Sequence, residues 1–268
     1  MRTKDACPSI AAMGSQTASI AAAHMERAFR YILRGPNVTA EPGFVRLITG
    51  EPHPFGNFAV FSETAAPAEM QAAMGPLVEC GAPAALLLTA PASDATAKLL
   101  ADSGFVSDHP MPAMAVETDV LGATSLPPGY TFSRVGEGAE SDEWAGQFSV
   151  GFEIPHAVGE AFSPNAVHAT TAADAPIQYF AIRKGGKMVC TSLVYLADGV
   201  AGIYCVATIP EERGRGLAAH VTAEPLRLLR RLGYNVGVLQ STAAGHSVYR
   251  RLGFKEFGEL GFYVRLPG

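Results

Sequence analysis

Residues 202–219 read GIYCVATIPEERGRGLAA. The β-branched and aromatic run at 203–208 is typical of a buried strand, and Pro210 ends it. The alternating arginines and glycines of 213–216 then open a helical pattern. The first N–H groups of a helix have no partners inside the helix and lie at the positive end of its dipole, so they bind anions. A strand, a short loop and a glycine-rich helix start therefore predict a phosphate-binding turn at this point in the chain.

Two other phosphate-binding motifs fit this stretch less well. A P-loop needs Lys followed by Ser or Thr after its last glycine, and neither follows Gly216. Residues 214–219 do satisfy the dinucleotide-binding pattern G-x-G-x-x-A. However, residues 209–213 separate them from the strand, and the next predicted strand ends at Gln240-Ser241 rather than at an acidic residue.

The stretch VATIPEERGRGLA at 206–218 resembles the acyl-CoA signature [QR]-x-x-G-x-[GA] of the GNAT N-acyltransferases. Arg213, Gly216 and Ala218 fill its three fixed places. Further on, VYRRLGF at 248–254 resembles the [LV]-Y-x-x-x-G-F ending of the same enzymes, at the usual distance. The resemblance covers the chain from about residue 130 to the end.

The resemblance implies an α+β chain with the GNAT acyltransferase fold, a mixed and mostly antiparallel sheet flanked by helices. It implies an N-acetyltransferase that moves an acetyl group from acetyl-CoA to a primary amine by direct attack in a ternary complex, with no metal. A non-catalytic acyl-CoA-binding sensor or scaffold is the alternative. It is motivated by the strand at 202–208, which contains no carboxylate where many relatives carry a Glu.

The resemblance also assigns roles to individual residues. Backbone groups of the turn would bind the diphosphate, and those of the strand before it would pair with pantetheine, with an N–H near Val206 facing the thioester carbonyl. Thr242 stands where the family often has a cofactor-contacting asparagine. The cofactor-binding residues are thus Val206, Ala207, Thr208, Arg213, Gly214, Arg215, Gly216, Leu217, Ala218 and Thr242.

Tyr249 corresponds to the tyrosine that protonates the CoA thiolate, and a phenol with a pKa of about 10 suits that role. Its alternative is a half-buried tyrosine that holds a helix to the sheet. His246, one turn earlier, is expected to face solvent. Substrate or base candidates lie in or near an irregular apolar loop predicted at 152–164, namely Glu153, His156, Glu160 and His168.

The chain repeats one order of elements. A helix, a buried strand, a helix and a Gly-Phe pair occur at 71–105 and again at 217–254. The first copy has Ala66-Pro67-Ala68-Glu69 in place of the arginine-glycine turn. We therefore predict a degenerate GNAT-like domain at 1–122, with a structural or substrate-shaping role, and a catalytic GNAT domain at 123–268. The linker is predicted at 119–129.

Within the second domain, strands are predicted at 130–135, 177–183 and 188–196, before the strand at 203–208. Three successive antiparallel strands that lead into a glycine-rich helix do not suit a doubly wound sheet, but they suit an antiparallel meander that splays after its fourth strand. A last strand at 259–266 is expected to close the sheet.

Composition limits the possible partners. The 268 residues are 48% apolar and 17% charged, with a formal net charge of −5 and no long basic run, which argues against nucleic acid or an anionic membrane surface. The four cysteines lack C-x-x-C spacing, and no membrane span or signal peptide is predicted. These features favour a cytoplasmic protein with reduced cysteines; a homodimer is left open.

Overall fold

The computed structural model describes residues 9–267, without the side chains of Ala12 and Ser15. The helices are α1 (Ile10–Met13), α2 (Thr17–Ile32), α3 (Pro67–Glu79), α4 (Asp94–Asp102), α5 (Ala139–Phe152), α6 (His156–Ala161), α7 (Leu217–Arg230) and α8 (Ala243–Leu252). The strands are β1 (Val38–Glu41), β2 (Phe44–Ile48), β3 (Asn57–Phe61), β4 (Ala84–Leu88), β5 (Val106–Ser107), β6 (Met111–Glu117), β7 (Tyr130–Val135), β8 (Ile177–Lys184), β9 (Lys187–Ala197), β10 (Val200–Thr208), β11 (Val236–Gln240) and β12 (Lys255–Arg265).

One mixed sheet of twelve strands runs through the described part of the chain, in the order β1-β2-β3-β4-β12-β6-β11-β10-β9-β8-β7, with β5 paired to β12. Within it, β3–β4 and β10–β11 are parallel, and the other pairs are antiparallel. The predicted antiparallel meander is confirmed as β7-β8-β9-β10. The fold is the predicted α+β arrangement of a mostly antiparallel sheet flanked by helices.

Buried side chains fill both faces of the sheet. One core joins the sheet to α2, α5 and α6, and includes Met25, Trp144 and Tyr179. On the opposite face of the second half, a separate core packs α7 and α8 against the sheet. A third core lies between α3, α4 and strands β2, β3 and β4. Among residues 9–267, no helix is long and apolar enough to cross a membrane.

The repeated order of elements is matched by repeated local structure. Phe105 N donates to Leu100 O at 3.0 Å after α4, and Phe254 N donates to Tyr249 O at 3.1 Å after α8. The glycine between each pair, Gly104 or Gly253, is left-handed, with φ of 80° and 100°. Both Gly-Phe pairs thus end their helices in the same way.

The two halves also share a proline inside a helix. Pro76 in α3 and Pro225 in α7 each remove the N–H that would meet the carbonyl four residues earlier. Arg46 of β2 donates to the freed carbonyl of Ala72 at 2.9 Å. In the second half, Ser192 of β9 donates to the carbonyl of Val221 at 2.9 Å.

The last strand of each half pairs with the other half. Strand β12 lies between β4 and β6 in the middle of the sheet, so it does not close the sheet as expected. Strand β6, which the sequence analysis missed, pairs with β11. Strands β4 and β11 each have a parallel partner on one side, and the exchange gives each an antiparallel partner on the other. The sheet is therefore continuous across residue 122, and the division at that residue stays a prediction.

Candidate functional site

The turn after β10 has the backbone that an anion site requires. A 3₁₀ turn at Pro210–Glu212 leads to Gly214 and Gly216, with φ of 77° and 76°, and α7 begins at Leu217. A Cβ added to either glycine would meet nothing within 4 Å, so the outer side of the turn is open. Over the described residues, no side chain caps the start of α7. Its first N–H groups are therefore free to bind an anion.

The guanidinium of Arg213 binds groups of the protein itself. It donates to Thr208 O at 3.2 Å and to Gly151 O at 3.0 Å, and lies 3.5 Å from a carboxylate oxygen of Glu153. It thus ties the turn to the C-terminal carbonyls of α5, where a positive charge is stabilising. The signature places Arg213 in the turn but does not predict this contact with α5.

Glu212 organises the other side of the turn. Its buried carboxylate lies 3.0 Å from Nε of Arg215, accepts Nζ of Lys184 at 2.7 Å and accepts the phenol of Tyr130. The hydrogen bonds from Lys184 and Tyr130 lower the pKa of Glu212. Glu212 therefore stays ionised and holds two cationic groups beside the turn. No residue of this cluster except Arg215 was singled out from the sequence.

The two parallel strands beside the turn separate. Strand β10 pairs with β11 from Val200↔Val236 to Gly202↔Val238, and the pairing then stops although both strands continue. The predicted splay after the fourth strand is therefore present. It leaves a gap between the C-terminal ends of β10 and β11, on the side of β10 from which the chain continues to α7.

A bulge marks the open arm of β10. Tyr204 pairs with Leu193 and Ala207 with Thr191, so Cys205 and Val206 together face one residue of β9. Cys205 has φ of 52°, a left-handed conformation that costs energy in a non-glycine residue. The bulge takes the backbone of Val206 out of the ladder with β9, at the position where the resemblance places an N–H for the thioester carbonyl.

Tyr249 lies on α8 with 8% of its surface exposed, and its ring packs 5.9 Å from that of Phe254. Burial, reinforced by nearby Cys190, raises its pKa well above the ordinary value. Gly245 leaves room for this ring, because a Cβ there would lie 2.8 Å from a ring carbon. The phenol thus keeps its proton at neutral pH, as a proton donor must, although the same burial suits a structural tyrosine.

Thr242 caps α8. Its hydroxyl oxygen accepts Gly245 N at 3.3 Å, which satisfies one free donor of the first turn. The hydroxyl can still donate its own proton to a ligand. His246 lies 2.7 Å from a carboxylate oxygen of Glu256, with 29% of its side chain exposed, so it is paired rather than simply solvated.

The segment predicted as an irregular loop contains helix α6. Pro155 precedes its first residue, and Gly159 lets the helix approach α5, since a Cβ there would lie 2.6 Å from Ala145 O. His156 and Glu160 form an exposed pair on α6 at 3.4 Å. Pro155 lies one residue before the first helical position, where proline is a common helix-start signal, and is the sequence cue for this helix.

The remaining base candidates lie at the surface. Glu153 ends α5 in a left-handed conformation with 74% of its side chain exposed, and His168 pairs with Glu137 at 2.7 Å. Gly151, which the sequence did not mark, lets α5 lie against β10, since a Cβ there would meet that of Ala207 at 2.8 Å. Across residues 9–267, no group of three His, Cys, Asp or Glu side chains could hold a metal ion.

The cysteines of the described residues, Cys80, Cys190 and Cys205, are free, and Cys7 lies outside those residues. A shallow cleft of about 510 Å³ lies between α2 and the turn after β9, and includes Arg27, Glu63 and Asp198. It shares no residue with the glycine-rich turn.

A model of the "Acetyltransferase (GNAT) family" matches residues 143–254, so the chain carries a GNAT acetyltransferase domain there. No curated protein sequence matched the chain in the comparison.

Solved structures with the same fold match both halves of the chain. A GCN5-related N-acetyltransferase from Kribbella flavida is 22% identical, with a TM-score of 0.59, over 94% of this chain and 96% of its own. One from Sphaerobacter thermophilus is 16% identical, with a TM-score of 0.60, over 97% and 94%. A tandem GNAT protein from the clavulanic acid biosynthesis pathway is 14% identical, with a TM-score of 0.55, over 94% and 95%. The likeness to the tandem protein supports the architecture of two GNAT-like units.

Proposed function

We propose that the protein transfers an acetyl group from acetyl-CoA to a primary amine, by direct attack of the amine on the bound thioester in a ternary complex. The family of residues 143–254 makes acyl transfer the general chemistry. One observation supports the site: β10 and β11 part after Gly202↔Val238, beside the uncapped start of α7. This combination leaves room for a thiol arm next to free N–H groups for a diphosphate.

The chemistry needs a proton acceptor for the amine, a donor for the oxyanion and a proton for the leaving thiolate. The backbone N–H of Val206, displaced by the bulge, is the proposed oxyanion donor. Tyr249 is the proposed acid, because it corresponds to the tyrosine that protonates the CoA thiolate in the family it resembles and its phenol carries a proton at neutral pH. Glu153, His156 and Glu160 stay candidates for substrate contact or for proton removal through water.

The site residues proposed for acetyl-CoA are those of the sequence analysis, with the main chain of 213–218 around the diphosphate and that of 206–208 along pantetheine. The half up to residue 122 is proposed to shape the acceptor side without binding a cofactor of its own. We place the enzyme in the cytoplasm.

Thiol release from acetyl-CoA across a panel of amines tests the proposal. Polyamines, amino acids, aminoglycosides and a peptide with a free N-terminus would be compared at equal concentration, with acetylated product identified by mass. Rapid release with one amine class, with product mass increased by one acetyl group, is the expected result. Slow and equal release with every amine, together with tight acetyl-CoA binding, would instead support the non-catalytic sensor.

A further inference from the structure

Helix α2 of the first half lies across the place where β10 and β11 separate. It packs on the face of the sheet opposite α7, in the core that also contains α5. Its residues contact both arms of the opening, through His24 on the β10 side and Ala21 on the β11 side. The glycine-rich turn and Tyr249 belong to the second half, so this is a contribution of the first half to the proposed cleft.

His24 holds the β10 arm. Its ring is buried; Nε2 lies 3.3 Å from Val200 O, and Nδ1 lies 2.9 Å from the phenol oxygen of Tyr204. A carbonyl oxygen can only accept, so Nε2 carries the proton and Nδ1 accepts the phenol proton. Tyr204 precedes the bulge by one residue. The hydrogen bond therefore anchors the strand immediately before the backbone that leaves the ladder.

Gly202, in the last pair between the two strands, makes this contact possible. A Cβ at residue 202 would lie 2.5 Å from the ring of His24 and 2.6 Å from the hydroxyl of Tyr204. The family resemblance does not involve Gly202, and no motif accounts for it. Because Gly202 has no side chain, the ring of His24 can lie against β10 at the last residue that pairs with β11.

Gln240 at the end of β11 reaches the same helix. Its side-chain amide donates to the carbonyl of Ala21 at 3.2 Å. Ala21 and His24 lie three residues apart, and therefore on one face of α2. One rigid helix thus bonds to the β10 arm and to the β11 arm beyond their last shared pair.

Two parallel strands that run side by side gain hydrogen bonds by pairing, so an open stretch needs something to keep it open. We propose that α2 is a strut of the acyl-CoA cleft, in which His24 and the carbonyl of Ala21 hold Tyr204 and Gln240 apart. This role rests on the proposed function, because the cleft matters only where acetyl-CoA enters it. His24, Tyr204 and Gln240 are positioning residues, since the strut acts through the backbone of the arms.

Two conservative variants remove the two bonds. Tyr204→Phe deletes the phenol hydroxyl at constant ring size, and Gln240→Met deletes the amide with little change of volume. Tyr195→Phe is the matched control, because Tyr195 also lies against His24, at 5.3 Å between ring centroids, but in an edge contact and not through its hydroxyl. Amide hydrogen exchange of residues 203–207 in the ligand-free protein and the Kd for acetyl-CoA are measured for each, together with Tm.

The strut predicts faster exchange at residues 203–207 and an acetyl-CoA Kd raised about fivefold in Tyr204→Phe and Gln240→Met, the effect of one lost hydrogen bond. Tyr195→Phe should match the wild type in both. Unchanged exchange and unchanged Kd in both variants would overturn the strut. A wild-type protein that binds no acetyl-CoA would overturn the proposed function instead, and hydrogen exchange would still decide whether α2 holds the arms.

Discussion

The two halves of the molecule each contain a pair of parallel strands, and the two pairs differ in whether they stay hydrogen-bonded to their ends. In the second half, β10 and β11 stop pairing at Gly202↔Val238 although both strands continue. In the first half, β3 and β4 stay paired from Phe58↔Ala85 to Phe61↔Leu88, the last residue of each strand. The corresponding gap is closed, so the first half has no room for a thiol arm at this position.

The helix starts differ in the same sense. Helix α7 begins after the left-handed Gly216 with no side-chain cap. Helix α3 begins with Pro67, and the carboxylate of Glu69 accepts the N–H of Ala66 at 2.8 Å. A negative charge of the protein itself therefore occupies the positive end of α3. In the first half, a carboxylate of the protein lies where an anion would bind, and the gap between the parallel strands is closed.

The largest expected effect comes from placing a carboxylate at the start of α7, because the first half has one, that of Glu69, at the start of α3. Gly216→Glu should weaken CoA binding by about a hundredfold or more, because the new charge repels the diphosphate at short range. Gly81→Glu is the control, since Gly81 has φ of 71° against 76° for Gly216 and is equally uncrowded. Isothermal titration calorimetry measures both. Retained binding in Gly216→Glu would refute the assignment of the turn.

The second prediction concerns His24, through which helix α2 of the first half contacts strand β10 of the second half. Burial, and then the charge of Arg27, lowers the pKa of His24 to about 4, while Val200 O and Asp198 act in the opposite direction. The tyrosines packed against it, Tyr195 and Tyr204, are neutral in this range. A folded-state pKa below the unfolded value of about 6.5 means that folding is favoured above pH 6.5 and disfavoured as pH falls toward 4.

The expected contribution of His24 to that loss is about 3 kcal/mol, because its pKa is about 4 in the folded protein against about 6.5 in the unfolded chain. Urea unfolding between pH 7 and pH 4 should show a weaker pH dependence in His24→Gln than in the wild type. His109→Gln, which replaces an exposed histidine, is the control. If His24→Gln and the wild type lose stability in parallel, His24 is not held neutral by the contact between the halves.

The third prediction uses the residues that the two halves place before their Gly-Phe pairs. Tyr249 stands where the first half has the fully buried Leu100. Tyr249→Phe should lower kcat about ten- to a hundredfold with little change in the Kd for acetyl-CoA, because the variant loses the proton donor and keeps the ring. Tyr234→Phe, in the same core, is the control. An unchanged kcat would make Tyr249 a packing residue like Leu100.

The sequence predicted most of the elements because their signals are local. Strand β7 has the predicted bounds, β8 and β9 match theirs to within one residue at each end, and the splayed meander is present. The turn at 213–216 was predictable because its left-handed backbone requires glycine at 214 and 216, and this requirement is visible in the local sequence.

Features that depend on distant residues were not predictable in the same way. The exchange of β6 and β12 joins residues far apart in sequence, and the pattern of a strand does not name its partner. The contact of His24 with Tyr204 spans 180 positions, and Gly202 looks like any strand glycine until the ring that it admits is known. The contact of Arg213 with Gly151 O is not predictable from the signature, because its partner is a backbone atom of another helix.

A crystal structure of the protein with CoA tests the difference between the halves most directly. The account predicts one CoA per chain, with its diphosphate at the N–H groups of 213–218 and its pantetheine arm between β10 and β11. CoA bound between β3 and β4, or bound away from both strand pairs while β10 and β11 stay empty, would contradict it.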